Sequence, residues 1–265
     1  MMQIKKYLFP STTINQMNMN FKIEIATTNP DSSIMEQLNS ASDGIAEMLA
    51  EVDRDFSLFK YDSLVSRFQR GDNEPLRTSN DFKLIYDSAI LAEQMTAGLY
   101  MPYFAGKYDP SDLVKGWAIE RAFEEYLEPL LKNQNIDGIW LSGGGQIKVA
   151  TKSGSDFRWS IDIRDSEKEN EIVTTYYLKN GVISLQENII DGSLHKNQSG
   201  VKQAIIVGTN LVETAIWALV ATSNKAEKFL PFVERYNLSG ILIDKVNEPL
   251  NFSKGLVVSS KEKLS

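Results

Sequence analysis

The sequence predicts an α+β protein in which helices pack against an antiparallel sheet. Three observations predict it. Helix-period segments concentrate in the first half of the chain, short alternating strands fill the second, and Asn180-Gly181 between two strand-like runs signals a two-residue hairpin. No internal repeat, low-complexity run or Pro/Gly/Ser linker divides the chain, so residues 1–265 read as a single domain, with about 20 N-terminal and about 15 C-terminal residues peripheral to it.

Each element has its own signal. After a polar stretch from Ser11 to Asn20, Phe21 to Thr27 alternates apolar and polar residues, as a half-buried strand does. Asn29-Pro30 supplies an N-cap with proline in the first helical position. Ile34, Leu38, Ala41, Ile45, Met48 and Val52 then recur at spacings of four and three, which predicts a long helix to about Arg54 with this stripe in the core. A short turn runs from Leu64 to Gln69 and closes at Gly71. A second helix follows Ser79, with Phe82, Ile85, Ala89, Ala92 and Met95 inward and Gly98 as its stop. Tyr100 to Asp109 reads as loop, and a third helix spans Asp112 to Glu128 until Pro129 kinks or ends it.

In the second half, Gly138 to Leu141 and Gln146 to Ala150 are short strands around Gly143-Gly144-Gly145. Phe157, Trp159, Ile161 and Ile163 alternate with Arg158, Ser160, Asp162 and Arg164, the pattern of a strand with one buried face. Ile172 to Leu178 and Val182 to Gln186 are expected to pair across Asn180-Gly181. Ala204 to Val207 is a strand, Asn210 to Thr222 and Lys225 to Tyr236 are helices, and Ile241 to Ile243 is the closing strand.

Composition limits the chemistry. The chain has 28 Lys+Arg against 35 Asp+Glu, a net charge of −7, so bulk charge gives no grip on nucleic acid or anionic lipid. With no cysteine and the single histidine His195, thiolate catalysis, Cys-rich zinc sites and multi-His metal cages are excluded. Lys5 and Lys6 are followed only by Tyr7-Leu8-Phe9 before Pro10, which is too short for a signal-peptide apolar core. No run approaches the ~18 apolar residues of a membrane span, and there is no cysteine for a lipid anchor. The expected location is cytoplasmic, without membrane insertion.

Four features are candidates for chemistry. Gly143-Gly144-Gly145 is either a tight turn or a loop whose N–H groups face a ligand. Asp109 to Trp117 opens a helix at which Lys115 either meets an anion or is solvated. Glu213, one turn after Thr209 and one before Trp217, is either an ordinary surface acid or, with the Thr209 hydroxyl, a ligand for a hard cation. His195 lies in a polar segment and reads as a surface histidine.

Taken in order, these segments resemble the ApbE family, the FAD:protein FMN transferases. Val52 to Gln69, with Phe56-Ser57, Asp62-Ser63 and Ser66-Arg67, is similar to the family's Phe-Ser-x-(Phe/Tyr)-x-x-Asp-Ser-x-(Leu/Val)-Ser-Arg-(Leu/Phe)-Asn signature. Asp109 to Ala122 is similar to Asp-Pro-Ser-Gly-x-(Val/Ala)-Lys-Gly-Trp-Ala-Val-Glu-Arg-Ala, Ile139 to Ile147 to its glycine loop, and Trp159 to Arg164 to the strand that follows. The resemblance covers roughly residues 15–245. It implies a T-fold-related mixed fold, FAD in a cleft with magnesium at its pyrophosphate, and transfer of FMN to a Ser or Thr hydroxyl of a flavoprotein acceptor, releasing AMP. By the same resemblance Gln69 faces the flavin, and Lys115 with the Gly144 and Gly145 amides meets phosphate. Gln146 stands where the family has Asp. Glu213 and the Val114 carbonyl would hold magnesium, with Thr209 as a substitute ligand. Trp217 occupies the expected place of the second side-chain ligand and offers no oxygen. Ser184-Leu185-Gln186-Glu187 and Ser193 to Gly200 also depart from the family's stretches. The expectation is therefore an ApbE-like protein whose transfer is weak or lost. The alternatives are a non-catalytic flavin- or nucleotide-binding module, a structural paralogue, or an FAD pyrophosphatase.

Overall fold

The computed structural model describes residues 6–168, 171–188, 200–244 and 248–258, so His195 lies outside the described residues. Strand β1 (Ser11–Gln16) turns through Met17-Asn18, both at positive φ, into β2 (Met19–Thr27). Phe21, Ile23 and Ile25 of β2 are fully buried on one face. Helix α1 (Ser32–Phe56) begins two residues past the expected proline, because the Asp31 carboxylate accepts the Ile34 N–H and so takes the cap position assigned to Asn29. All six residues of its expected stripe are buried.

Two short helices, α2 (Leu64–Gln69) and α3 (Glu74–Thr78), precede α4 (Asn80–Met95), which Ser79 caps. The expected loop contains a small hairpin, β3 (Tyr103–Phe104) with β4 (Lys107–Tyr108). Helix α5 (Ser111–Ala122) continues as a π-turn over Phe123–Leu127, and Pro129 then sits in the first turn of a 3-10 segment, Glu128–Lys132. There follow β5 (Ile136–Gly143), β6 (Gln146–Thr151), β7 (Trp159–Arg164), β8 (Ile172–Leu178), β9 (Gly181–Glu187) and β10 (Val201–Gly208). Helices α6 (Leu211–Ser223) and α7 (Ala226–Arg235) lead to β11 (Ser239–Asp244), β12 (Leu250–Ser253) and β13 (Leu256–Val258).

The expected α+β class with an antiparallel sheet is what the chain forms. Nine strands make one sheet in the order β1-β2-β5-β6-β9-β10-β11-β12-β13, and all pairs among the described strands are antiparallel. Helices α1, α4, α5 and α6 bury one face with Ile23, Leu141, Val182 and Ile206 of the sheet. The opposite face, with Val149, Ile183, Ile205 and Ile241, is covered by Phe157 and by Trp159, Ile161 and Ile163 of β7. Burial on both faces explains why Ala204 to Val207 of β10 and Ile241 to Ile243 of β11 are unbroken apolar runs.

One expectation is corrected. The runs flanking Asn180-Gly181 do not pair with each other. β8 pairs with β7 in a separate ribbon, while β9 enters the main sheet between β6 and β10. The Asn-Gly pair crosses between layers, with Asn180 Oδ1 accepting the Thr151 N–H at 3.0 Å. Turn chemistry is local, whereas pairing followed the apolar face of β7 and its need for a neighbour. Strands β1 and β13 form the two edges of the sheet. The polar β1 is hard to see in sequence because an edge strand needs little apolar surface, here Ile14 alone among its buried residues.

The ribbon is tied to the sheet by an ion pair between Lys202 of β10 and Asp165, whose side chains are only 8% and 12% exposed. The hydrogen bond from Lys202 holds the Asp165 carboxyl below its ordinary value. Burial opposes the Lys202 charge, but Asp165 outweighs it and the ammonium is held above its ordinary value. The carboxylate's contribution is therefore present above about pH 3.9, its unfolded value, and is lost as pH falls through the lower folded value. Asp165→Asn is expected to cost about 1–2 kcal/mol at pH 7, with the difference from wild type shrinking toward pH 2, as read by urea unfolding across pH.

Candidate functional site

The motif residues around α2 form a local scaffold. Ser63 caps α2 by accepting the Ser66 N–H and donates to the Ser57 carbonyl at 2.6 Å, while Arg67 pairs with Asp72. These bonds hold the loop between α1 and α2 with Phe59 and Tyr61 standing in solvent, 89% and 73% exposed. Gln69 ends α2 and donates from Nε2 to the Tyr108 carbonyl at 2.6 Å. Burial, followed by neighbouring charge, pushes the hydroxyls of Tyr100 and Tyr108 above the usual tyrosine range; both are buried without a partner among the described residues.

Helix α5 presents three faces to three surroundings, as 100° per residue requires. Ser111, Val114 and Lys115 border a hollow of about 220 Å³ that also contains Met19, Asp53 and Phe59. Lys115 Nζ lies 3.5 Å from Asp112 Oδ1 and is one-third exposed. Val114 is buried, and its carbonyl lies inside the helix, where the next turn's N–H claims it. Asp112 faces β9 and α6. Leu113, Trp117 and Glu120 face α4 and the start of α6.

Gly144 and Gly145 form the two-residue turn between β5 and β6, at φ +55° and +80°, with Gly143 opposite Gln146. Positive φ at both positions is the geometry in which glycine is preferred. The turn is pressed onto β9: the Gly145 carbonyl accepts the Leu185 N–H at 2.7 Å, and a Cβ on Gly145 would lie 2.4 Å from the Leu185 carbonyl oxygen. Gln146 is buried, and its Oε1 has no partner among the described residues. Gly116 allows α5 to approach α6, since a Cβ there would meet the Val212 backbone at 3.2 Å and Gln146 Oε1 at 3.4 Å.

Helix α6 turns a face other than the expected one toward this junction. Asn210 caps the helix through the Glu213 N–H, so Thr209 precedes the cap and lies outside the helix. Glu213 is exposed and borders the groove beneath α4, where Trp217 donates to its Oε1 at 3.4 Å. Trp217 is 1% exposed and packs on Phe232 and Tyr236 at 5.4 and 4.9 Å. The face that meets Asp112, Gln146 and Ser184 carries Ala215, Ala218 and Leu219, with Thr214 bonded to Ser184 at 2.8 Å. Thus Lys115 and Val114 share one hollow, Glu213 and Trp217 share another, and the gap between α5, α6 and β9 brings the expected site residue Gln146 together with Asp112 and the Ser184-Leu185-Gln186 stretch, while Ala215, Ala218 and Leu219 of α6 were not foreseen there.

That gap measures about 10 Å³, at the threshold for one water. The pair one turn apart on this face of α6 is Ala215 and Leu219, which offer no oxygen, and no group of three or more His, Cys, Asp or Glu among the described residues is placed to hold a metal ion. The residues present do not fit a magnesium site of the expected kind. No helix among the described residues is long and apolar enough to cross a membrane.

No protein-family model and no curated protein matches the chain. Solved structures do. The ApbE protein of Thermotoga maritima superposes with a TM-score of 0.74 at 13% identity, covering 92% of this chain and 97% of that one. The flavin transferase ApbE of Vibrio cholerae gives 0.66 at 16% identity over 92% and 95% of the two chains. The flavinyl transferase ApbE of Pseudomonas stutzeri gives 0.69 at 11% identity over 96% and 98%. The chain thus shares the fold of these proteins along nearly its whole length.

Proposed function

We propose that this chain, built on the fold of the ApbE flavin transferases, is a flavin- or nucleotide-binding protein that no longer transfers FMN. The reaction to compare is the one implied by the sequence resemblance: Mg-dependent transfer of FMN from FAD to a hydroxyl of a flavoprotein acceptor. Displacement at a pyrophosphate relies on a metal or equivalent charge to neutralise the phosphates and align the leaving group. The observation that carries the proposal is the closed junction of α5, α6 and β9, where Asp112 is the one lining carboxylate and α6 contributes no side-chain oxygen. There Ala215 and Leu219 supply no ligand, and the gap holds no more than about one water. Water attack on FAD would need the same metal, so the pyrophosphatase reading loses support on the same ground.

Binding is supported by the neighbouring hollow. Phe59 offers an exposed ring for stacking, and Lys115 brings an ammonium to the first turns of α5, where helix polarity also favours an anion. Gln69, expected to face the flavin, is held by Tyr108 and does not line this hollow. An aromatic ring with a phosphate matches this set.

The test incubates the full chain with FAD and magnesium. The expected result is neither AMP nor a flavin-sized mass on a flavoprotein substrate, together with saturable quenching of FAD or FMN fluorescence that Lys115→Ala weakens about ten-fold, the order of one charge-assisted contact. AMP release or a protein adduct would overturn the loss of transfer. Failure of FAD, FMN and AMP alike to bind would overturn the binding reading.

A further inference from the structure

We infer that the groove between α4, α5 and α6 is a binding site for a small organic ammonium with an apolar tail. This site lies on a different face of α5 from Lys115 and does not rest on the nucleotide reading. Its cavity is about 380 Å³, walled by Leu84, Leu91 and Met95 of α4, Trp117 of α5, and Ile216 and Trp217 of α6. Leu84 and Leu91 remain 51% and 55% exposed, so apolar surface on the α4 side stands uncovered. By proportion with the ~150 Å³ apolar cavity that takes benzene, the groove accommodates roughly fifteen non-hydrogen atoms.

Charge selects among ligands of that size. Two carboxylates line the groove, and no Lys, Arg or His does. Glu120 is already engaged, accepting the Leu211 N–H at 2.8 Å and pairing with Lys148 at 3.3 Å. Glu213 is different: it makes no ion pair among the described residues, and its carboxylate receives only the Trp217 indole N–H, at 3.4 Å. An anion would meet uncompensated negative charge here. A neutral apolar ligand would cover Glu213 without giving it a partner. A cationic head resolves both, because it pairs with the Glu213 carboxylate. The tail then occupies the space against Leu84, Leu91 and Met95.

The experiment is calorimetric titration of the full chain with two probes of similar shape, 4-phenylbutylammonium and the neutral 4-phenylbutanol. The ammonium is expected to bind more tightly than the alcohol. Glu213→Gln, an exposed change, should weaken the ammonium about ten-fold and leave the alcohol within about two-fold. Ser88→Trp fills the groove from its partly exposed wall and should abolish binding of both probes, while near-UV circular dichroism reports that each variant stays folded. Equal affinity of the two probes, an ammonium affinity unchanged in Glu213→Gln, binding that persists in Ser88→Trp, or no binding at millimolar ammonium would each overturn the proposal.

Discussion

Replacing Trp217 with threonine is expected to cost about 3–5 kcal/mol of stability and to bring no magnesium-dependent turnover. The sequence resemblance aligns Trp217 with a metal ligand, and from that alignment the threonine variant would be a repair. The tertiary structure reverses the expectation. The indole is 1% exposed and is packed by Phe229, Phe232 and Tyr236 at ring distances of 6.4, 5.4 and 4.9 Å. Truncation removes a large apolar side chain and leaves a void that α7 closes only in part. The new hydroxyl would lie among these rings and not at the junction with Asp112 and Gln146, which Ala215 and Leu219 face. Thermal and urea unfolding read the first half of the prediction, and AMP release with FAD and magnesium reads the second. A stable variant with turnover would show that α6 presents Trp217 to the ligand after all.

Gly145→Ala is expected to destabilise the chain by about 2–4 kcal/mol, whatever the ligand does. Two costs add. A non-glycine residue at φ +80° is strained, and the new Cβ would lie 2.4 Å from the Leu185 carbonyl oxygen, a backbone atom of the central strand β9. Relief requires β9 to move away, which would break the 2.7 Å hydrogen bond from the Leu185 N–H to the Gly145 carbonyl. At Gly144 the nearest contact is the flexible end of Met19, its sulfur 3.1 Å from a Cβ position, so Gly144→Ala should cost less than Gly145→Ala despite a similar φ. A urea midpoint lowered equally by both substitutions would show that backbone conformation, and not the pressure of β9, requires the second glycine.

The elements that could be read from the sequence are those with a strong one-sided period. The stripe of α1 is buried at all six expected positions, and β7 alternates buried and exposed without exception. Helix α6 shows the opposite case. Nine of its 13 residues are buried, so it has no polar face to fix its rotation, and a pattern of apolar residues is equally consistent with Glu213 or Ala215 facing the glycine turn. Asp112 and Ser184 each lay in a stretch compared with the family's, but nothing in sequence joined them with Leu219, because the three come from elements that only packing brings to one gap. The reading of Thr209 as a residue on the same helical face also failed for a local reason: Asn210 caps the helix after it.

Residue pattern alone sufficed for the class of fold, the identity of most helices and strands, and the chemistry that composition excludes, because these depend on neighbours within a turn or a pleat. Tertiary structure decided which strands pair, which face of α6 meets α5, and that Glu213 and Val114 border different hollows. Strand order and helix rotation are settled by burial shared among distant segments, and a helix or strand covered on every side leaves no mark of either in its own sequence.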